Sequence, residues 1–266
     1  MGKLSTIGRI FYGIAIIALG FLTIIHNDFP YFLIPPKHSW LTDHVIFVHM
    51  AGFFLILFGT YIVIGKKTLP ASLLLATALL LIFCFYFIPY QLMAPARYMH
   101  FGTWENAAKE LALSAGAFII AGCYSNKNEG PFISFLRKLI PLGTILFPLT
   151  IISFGIDHFL YATAAADYIP SWIPNHIFWI YFTGSCLLGA GIAILLRIKT
   201  SLFATLLGTM ILIWVIILHI PKSIAEPVAY KGGEVSSAFL ALAYSGIAFV
   251  IAGASRPDIA VKSRRK

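Results

Sequence analysis

Charge is scarce in this sequence: 19 basic and 10 acidic residues in 266, or 11% of the chain, against 59% hydrophobic residues and a mean hydropathy of +0.89. A soluble domain needs about a quarter of its residues charged to cover its surface, so an ordinary soluble protein is excluded. Paired cysteines are also lacking. Cys84, Cys123 and Cys186 form no CxxC and no even set, which excludes a disulfide framework and a zinc knuckle. No HExxH or HxH occurs, and His44 and His49 lie about 140° apart around a helix, so the chain is read as having no metal site, with haem or metal less favoured than an organic cofactor. A formal charge of +9 without a water-facing basic domain gives no case for nucleic acid.

What the chain has instead is long apolar runs. About 20 such residues cross the hydrocarbon core, and eight runs approach that length: Ile7 to Ile25, Val45 to Ile64, Ala71 to Met93, Ala108 to Cys123, Ile140 to Gly155, Ile177 to Leu196, Leu202 to Ile220 and Ser236 to Gly253. The sequence thus predicts an all-α membrane protein with eight transmembrane helices. Ile24-Ile25-His26-Asn27 offers no small-x-small cleavage site, so the first run is read as a helix and not a signal peptide.

The polar residues divide by side. Lys3, Arg9, Lys66, Lys67, Lys127, Arg137, Lys138, Arg197, Lys199, Arg256, Lys262, Arg264, Arg265 and Lys266 fall on the side of the N-terminus, and only Lys37, Arg97, Lys109, Lys222 and Lys231 on the other. The positive-inside rule puts both termini in the cytoplasm of a bacterial-type inner membrane, with the tail drawn to anionic lipid head groups. Asp28, Asp43, Glu105, Glu110, Asp157, Asp167, Glu226 and Glu234 map to the outer side, as do all eight histidines. Chemistry, if the chain performs any, is expected at the outer face. No ionisable residue sits mid-span, which argues against an ion-driven carrier.

An internal repeat is expected. At a spacing of 132 residues His26 falls on His158, Ser39-Trp40 on Ser171-Trp172, His44 on His176, Gly52 on Gly184, Gly59 on Gly191, Lys67-Thr68 on Lys199-Thr200 and Ile88-Pro89 on Ile220-Pro221. After a shortening of three residues Glu105 meets Glu234. The reading is two parallel-repeat four-helix bundles, residues 1–124 and 139–254, joined by a polar cytoplasmic linker at 125–138 and followed by a basic tail at 255–266. An even number of spans gives the two units one orientation, related by a pseudo-two-fold axis along the membrane normal. The long outer loops, Asn27 to Asp43 and Phe159 to Asn175, are rich in proline and apolar residues and are expected to pack on the bundle. Gly52, Gly59, Gly184, Gly189 and Gly191 are read as close-packing positions.

The run Gly155-Ile-Asp-His158-Phe159, the loop Ile169-Pro170-Ser-Trp172-Ile-Pro174 and the segment Ile180-Tyr-Phe-Thr-Gly184 resemble the DoxX-like membrane proteins, and Trp104-Glu-Asn-Ala-Ala-Lys109-Glu110-Leu-Ala-Leu113 resembles that family's last helix. The family's usual carboxylate in the second helix is absent here, its positions holding Leu55 and Leu187. The resemblance implies a quinone-linked or redox-accessory role, with a quinone as the ligand and a periplasmic or membrane redox partner. On that basis the ligand-binding candidates are His26, His44, His158 and His176 toward a quinone head group, Trp40 and Trp172 stacking beside it, and Glu105 and Glu234. Whether the chain is catalytic stays open. Two other classes stay open with it: a transporter of a lipid or small uncharged solute, and a structural anchor for a periplasmic enzyme. Reporter fusions at residue 2 and after Lys266 are expected to report both ends as cytoplasmic; a periplasmic signal from either end would refute the topology.

Overall fold

The computed structural model describes residues 2–35, 44–125, 129–228 and 232–255. Helix is the only regular structure among these residues, with no strand. Eight long helical rods succeed one another: α1 Lys3–His26, α2 Val45–Ile64, α3 Thr68–Leu92, α4 Glu105–Gly122, α5 Pro131–Leu160, α6 His176–Leu195, α7 Thr200–Ala225 and α8 Gly233–Ala254. Seven are long and apolar enough to cross a membrane. The exception is α4, whose first six residues include Glu105, Lys109 and Glu110. Its physical setting explains the difference, because Ala112 to Ala121 are all buried among other helices and face no lipid. By contrast α2, α3, α6 and α7 turn Phe53, Phe85, Phe178 and Leu206 outward, as expected of rods bathed in hydrocarbon. Multiple apolar rods with outward aromatic and aliphatic side chains mark a multi-pass membrane protein.

The small-residue helices α4 and α8 form the centre. α1 packs on α2 and on α8, and α5 packs on α6 and on α4, while α3 covers α4 and α7 covers α8. The halves therefore interlock: the first helix of each half lies against the last helix of the other. Close backbone approach makes this possible. A Cβ on Gly8 would sit 2.3 Å from the Gly246 carbonyl, and one on Gly143 2.7 Å from the Ala115 carbonyl. Gly52 meets Gly20, and Gly184 meets Gly155, in the α1–α2 and α5–α6 crossings. Gly189 is different, with nothing within 4 Å of its would-be Cβ, so it is not a close-packing position.

Corresponding contacts recur in the two halves, but not at one spacing. α3 and α7 match at 132 residues: Lys67 and Lys199 both adopt positive φ, and π turns occupy Phe83–Phe87 and Val215–His219. Each π turn lies just before a proline, Pro89 or Pro221, whose ring would clash with the carbonyl four residues back in a regular helix. Widening the turn relieves that clash, with Ile88 N–H bonding to Phe83 O and Ile220 N–H to Val215 O. α1 and α5, however, match at 135. Gly8 corresponds to Gly143 and Gly20 to Gly155, and the Thr23 hydroxyl bonds to Leu19 O as the His158 ring bonds to Phe154 O. The expected pairing of His26 with His158 is thus three residues out of register, and His26 corresponds to Tyr161. α4 and α8 match at 131. Ser114 Oγ donates to Ala76 O and Ser245 Oγ to Gly208 O, both at 2.8 Å. Glu105 then corresponds to Ser236, not to Glu234.

The segments that follow α1 and α5 pack inward where they are described. Phe29, Phe32, Leu33 and Ile34 are buried, as are Ile169 and Ile173. On the opposite side, helix begins at Pro131, inside the segment expected to be linker, because proline is tolerated at a first helical position. Arg137 pairs there with Glu129 at 2.8 Å. Arg9, buried, donates to the carbonyls of Ile62 and Val63 and so satisfies the exposed end of α2. Gly246→Leu is expected to lose about 1–3 kcal/mol or more through overpacking, while Gly189→Ala should be neutral or gain up to about 1 kcal/mol; thermal unfolding in detergent measures both.

Candidate functional site

Between the ends of α5 and α7 and the starts of α6 and α8 lies a cavity of about 670 Å³. Its depth is apolar, from Ile151, Leu187, Met210, Ile211 and Leu240, and Phe154, Trp214 and Tyr244 contribute aromatic faces. Its mouth is polar, with Glu105, Lys109, Asp157, His158, His219 and Glu234. A second chamber of about 350 Å³ opens beside the end of α1, lined by His26, Asp28, Asn106 and Ser236 among others. Glu105, Lys109, Tyr168, Glu234 and Ser237 line both, so the two chambers share one polar wall at the start of α4 and α8.

Two ion pairs run along that wall. Lys109 Nζ meets Glu105 at 2.7 Å, one helical turn away, and Lys222 Nζ meets Glu234 at 3.9 Å while lying 3.5 Å above the Tyr168 ring. The Tyr244 hydroxyl donates to Lys109 O across the central helix pair. Asp157 stands apart: both of its carboxylate oxygens are out of solvent and accept no hydrogen bond. Thr183, across the cavity, has an equally unpartnered hydroxyl. His158 is oriented by its Nδ1, which donates to Phe154 O at 2.7 Å and leaves Nε2 for another partner. His219 ends the π turn of α7, and the extra residue in that turn brings its ring to the cavity.

The helix ends of the two halves lock onto each other. The Tyr161 hydroxyl accepts from Gly102 N–H at 2.9 Å, ahead of α4. His26, its counterpart, lies against Gly232 ahead of α8, where a Cβ would be 2.5 Å from Nε2. Gly232 also has a φ of 77°, so glycine is needed there twice over.

Of the residues expected at a site, His158, Glu105 and Glu234 line the large cavity, and His26, Glu105 and Glu234 the smaller one. His44, His176 and Trp172 line neither; Trp172 is 70% exposed. Trp40 lies outside the described residues. His26 and His44 line no cavity together, nor do His158 and His176: His44 precedes α2 with its ring edge-on to Phe47, while His158 joins His219 in the cavity of its own half. Missed from the sequence were His219, Asp157, Lys109, Thr183, Trp214 and Tyr244. Their signal was present in Pro221, whose relief turn brings His219 inward, and in Ala117-Phe-Ile-Ile-Ala-Gly122 against Ala248-Phe-Val-Ile-Ala-Gly253, which fixes the α4–α8 register. Among the described residues, no group of three His, Cys, Asp or Glu side chains is arranged to hold a metal ion.

The corresponding positions of the first half carry other side chains. Phe87, 1% exposed, stands where His219 does; Leu22 and Thr23 replace Asp157 and His158, and Glu110 replaces Ala241. No protein-family model, curated protein or solved structure matches the chain. Tyr161→Phe removes the acceptor for Gly102 N–H, with an expected cost of about 1 kcal/mol and faster hydrogen exchange at that amide; unchanged exchange would contradict the lock between the halves.

Proposed function

We propose that the chain is a DoxX-like protein of a bacterial-type inner membrane, in which two fused four-helix units of common orientation give eight spans with both termini in the cytoplasm. The outer-face cavity of the second unit binds the head group of a membrane quinone, and the protein serves as a redox accessory to a membrane or periplasmic partner. The cavity carries this reading. Its volume is within the range of small-molecule sites, about 300–1,000 Å³, and it combines apolar walls with a few convergent polar groups. Phe154, Trp214 and Tyr244 offer ring faces to a planar head group, while His158, His219, Asp157 and Thr183 gather polar atoms about it. A prenyl tail is accommodated by the apolar depth or by the surrounding lipid.

The recurrence of the α1–α2 and α5–α6 crossings, the π turns and the two serine-to-carbonyl bonds supports a duplication, with separate spacings because loops of different length separate the helices. The same comparison favours the second unit for the site, since Phe87, Leu22 and Thr23 stand in the first unit where His219, Asp157 and His158 line the cavity.

His219→Phe puts into the cavity the residue that fills the counterpart position. Quinone extracted with the purified protein, counted by mass spectrometry, is expected to fall at least about tenfold, a loss of about 1.4 kcal/mol or more in binding, with thermal stability kept. A wild-type protein that carries no quinone and takes up none when offered a short-chain quinone would refute the assignment.

A further inference from the structure

We infer that the polar end of this cavity selects the reduced, hydroxyl-bearing form of its ligand, holding a hydroquinone more tightly than the quinone; the inference rests on the quinone reading above.

The reason is the balance of donors and acceptors. A quinone ring presents two carbonyl oxygens, which accept and cannot donate, whereas a hydroquinone presents two O–H donors. The cavity offers acceptors with nothing bound to them. Asp157, among the lining residues, brings two carboxylate oxygens that accept no hydrogen bond from the protein. His158 Nδ1 must carry a proton to donate to the Phe154 carbonyl, so in the neutral ring Nε2 holds a lone pair. The charged donors nearby are already engaged. Lys109 Nζ is tied to Glu105 at 2.7 Å and Lys222 Nζ lies over the Tyr168 ring, while the Tyr244 hydroxyl donates to the Lys109 carbonyl. The Thr183 and Tyr161 hydroxyls and a neutral His219 ring can serve either role, and the Trp214 indole N–H can donate to the oxygen of either form, so none of these discriminates.

An oxidised ring in this setting faces a carboxylate with a carbonyl, leaving acceptor against acceptor. A reduced ring completes the hydrogen bonding of Asp157 with a charge-assisted O–H···O⁻ bond, the stronger kind. The first half lacks the device, since Leu22 and Thr23 stand at the corresponding positions and Thr23 spends its hydroxyl on Leu19 O.

Anaerobic titration of the full chain in lipid nanodiscs, followed by tryptophan fluorescence, tests this with three probes: a decyl-substituted benzoquinone, its hydroquinone, and the dimethyl ether of that hydroquinone. The hydroquinone is expected to bind at least about tenfold tighter than the quinone, as one hydrogen bond to a charged group allows, and the ether no tighter than the quinone. Asp157→Asn, close in shape but able to donate from its amide, should bring the ratio toward one by weakening hydroquinone binding and strengthening quinone binding, with thermal unfolding unchanged from the parent showing the variant to be folded. His158→Thr, which can keep the bond to Phe154 O, should reduce the preference as well. Equal or tighter binding of the quinone, or a full preference retained in both variants, overturns the inference and leaves the quinone site standing. Failure of all three probes to bind overturns both.

Discussion

Backbone contact between small residues is the constraint on which the rest of the structure depends. Lipid tails are as apolar as leucine, so helices in a bilayer gain little from simply hiding apolar surface from one another; they associate through close packing and hydrogen bonds. Here the contacts are made at Gly8 on Gly246, Gly143 on Ala115, Gly20 on Gly52 and Gly155 on Gly184. These bring α1 and α5 against a central pair made largely of alanine, serine and glycine, and seat α2 on α1 and α6 on α5. Hydroxyl bonds tie the remaining seams, from Ser114 on α4 to α3, from Ser245 on α8 to α7, and from the fully buried Tyr12 on α1 to Leu113 O on α4. Because α1 packs on α8 and α5 on α4, neither half has a complete core without the other.

That interlock explains how one half can hold a cavity. A void in a packed interior forfeits dispersion contacts and costs stability, and the larger of the two chambers lies among the helices of the second half. At the matched positions of the first half Phe87 is buried. The two sides use the same π turn and differ in a few side chains at matched positions. His219 for Phe87 adds polarity and Ala241 for Glu110 removes bulk. Glu110 keeps its carboxylate oxygens buried without hydrogen-bond partners.

Much of the fold is legible in the sequence because hydropathy needs no knowledge of neighbours. The eight apolar runs coincide with the eight rods, and even α4, with charges at its start, is marked by Ala108 to Cys123. The site is less legible, and for a specific reason. Matching the scarce residues, His26 with His158 and Glu105 with Glu234, places both pairs in equivalent positions, but packing is decided by the common small residues. Gly20 with Gly155 and Ser114 with Ser245 set the register, and they shift the polar residues by two or three places. On a helix, a shift of two residues turns a side chain to the opposite face, and a shift of three moves it about 4.5 Å along the axis and about 60° around it. His26 consequently ends against Gly232 while His158 faces the cavity. His219 was hidden for a different reason, since a regular helix would have aimed it elsewhere and only the π turn ahead of Pro221 brings it in.

The polar wall adds a final constraint on what fills the cavity. Charged groups at the edge of a cavity are tolerated when paired: partly exposed Glu105 meets Lys109 at 2.7 Å, and buried Glu234 meets Lys222 at 3.9 Å. Asp157 has no such partner. An unpaired, desolvated carboxylate is costly and is relieved either by taking up a proton or by a donor that enters the cavity. A purely apolar lipid tail cannot supply it, and neither can a carbonyl oxygen. A molecule with a planar apolar body and a hydroxyl at one edge can, by lying among Phe154, Trp214 and Tyr244 while its O–H reaches the carboxylate. The aromatic walls and the orphan acceptor thus restrict the occupant by independent physical demands, one on shape and one on proton donation.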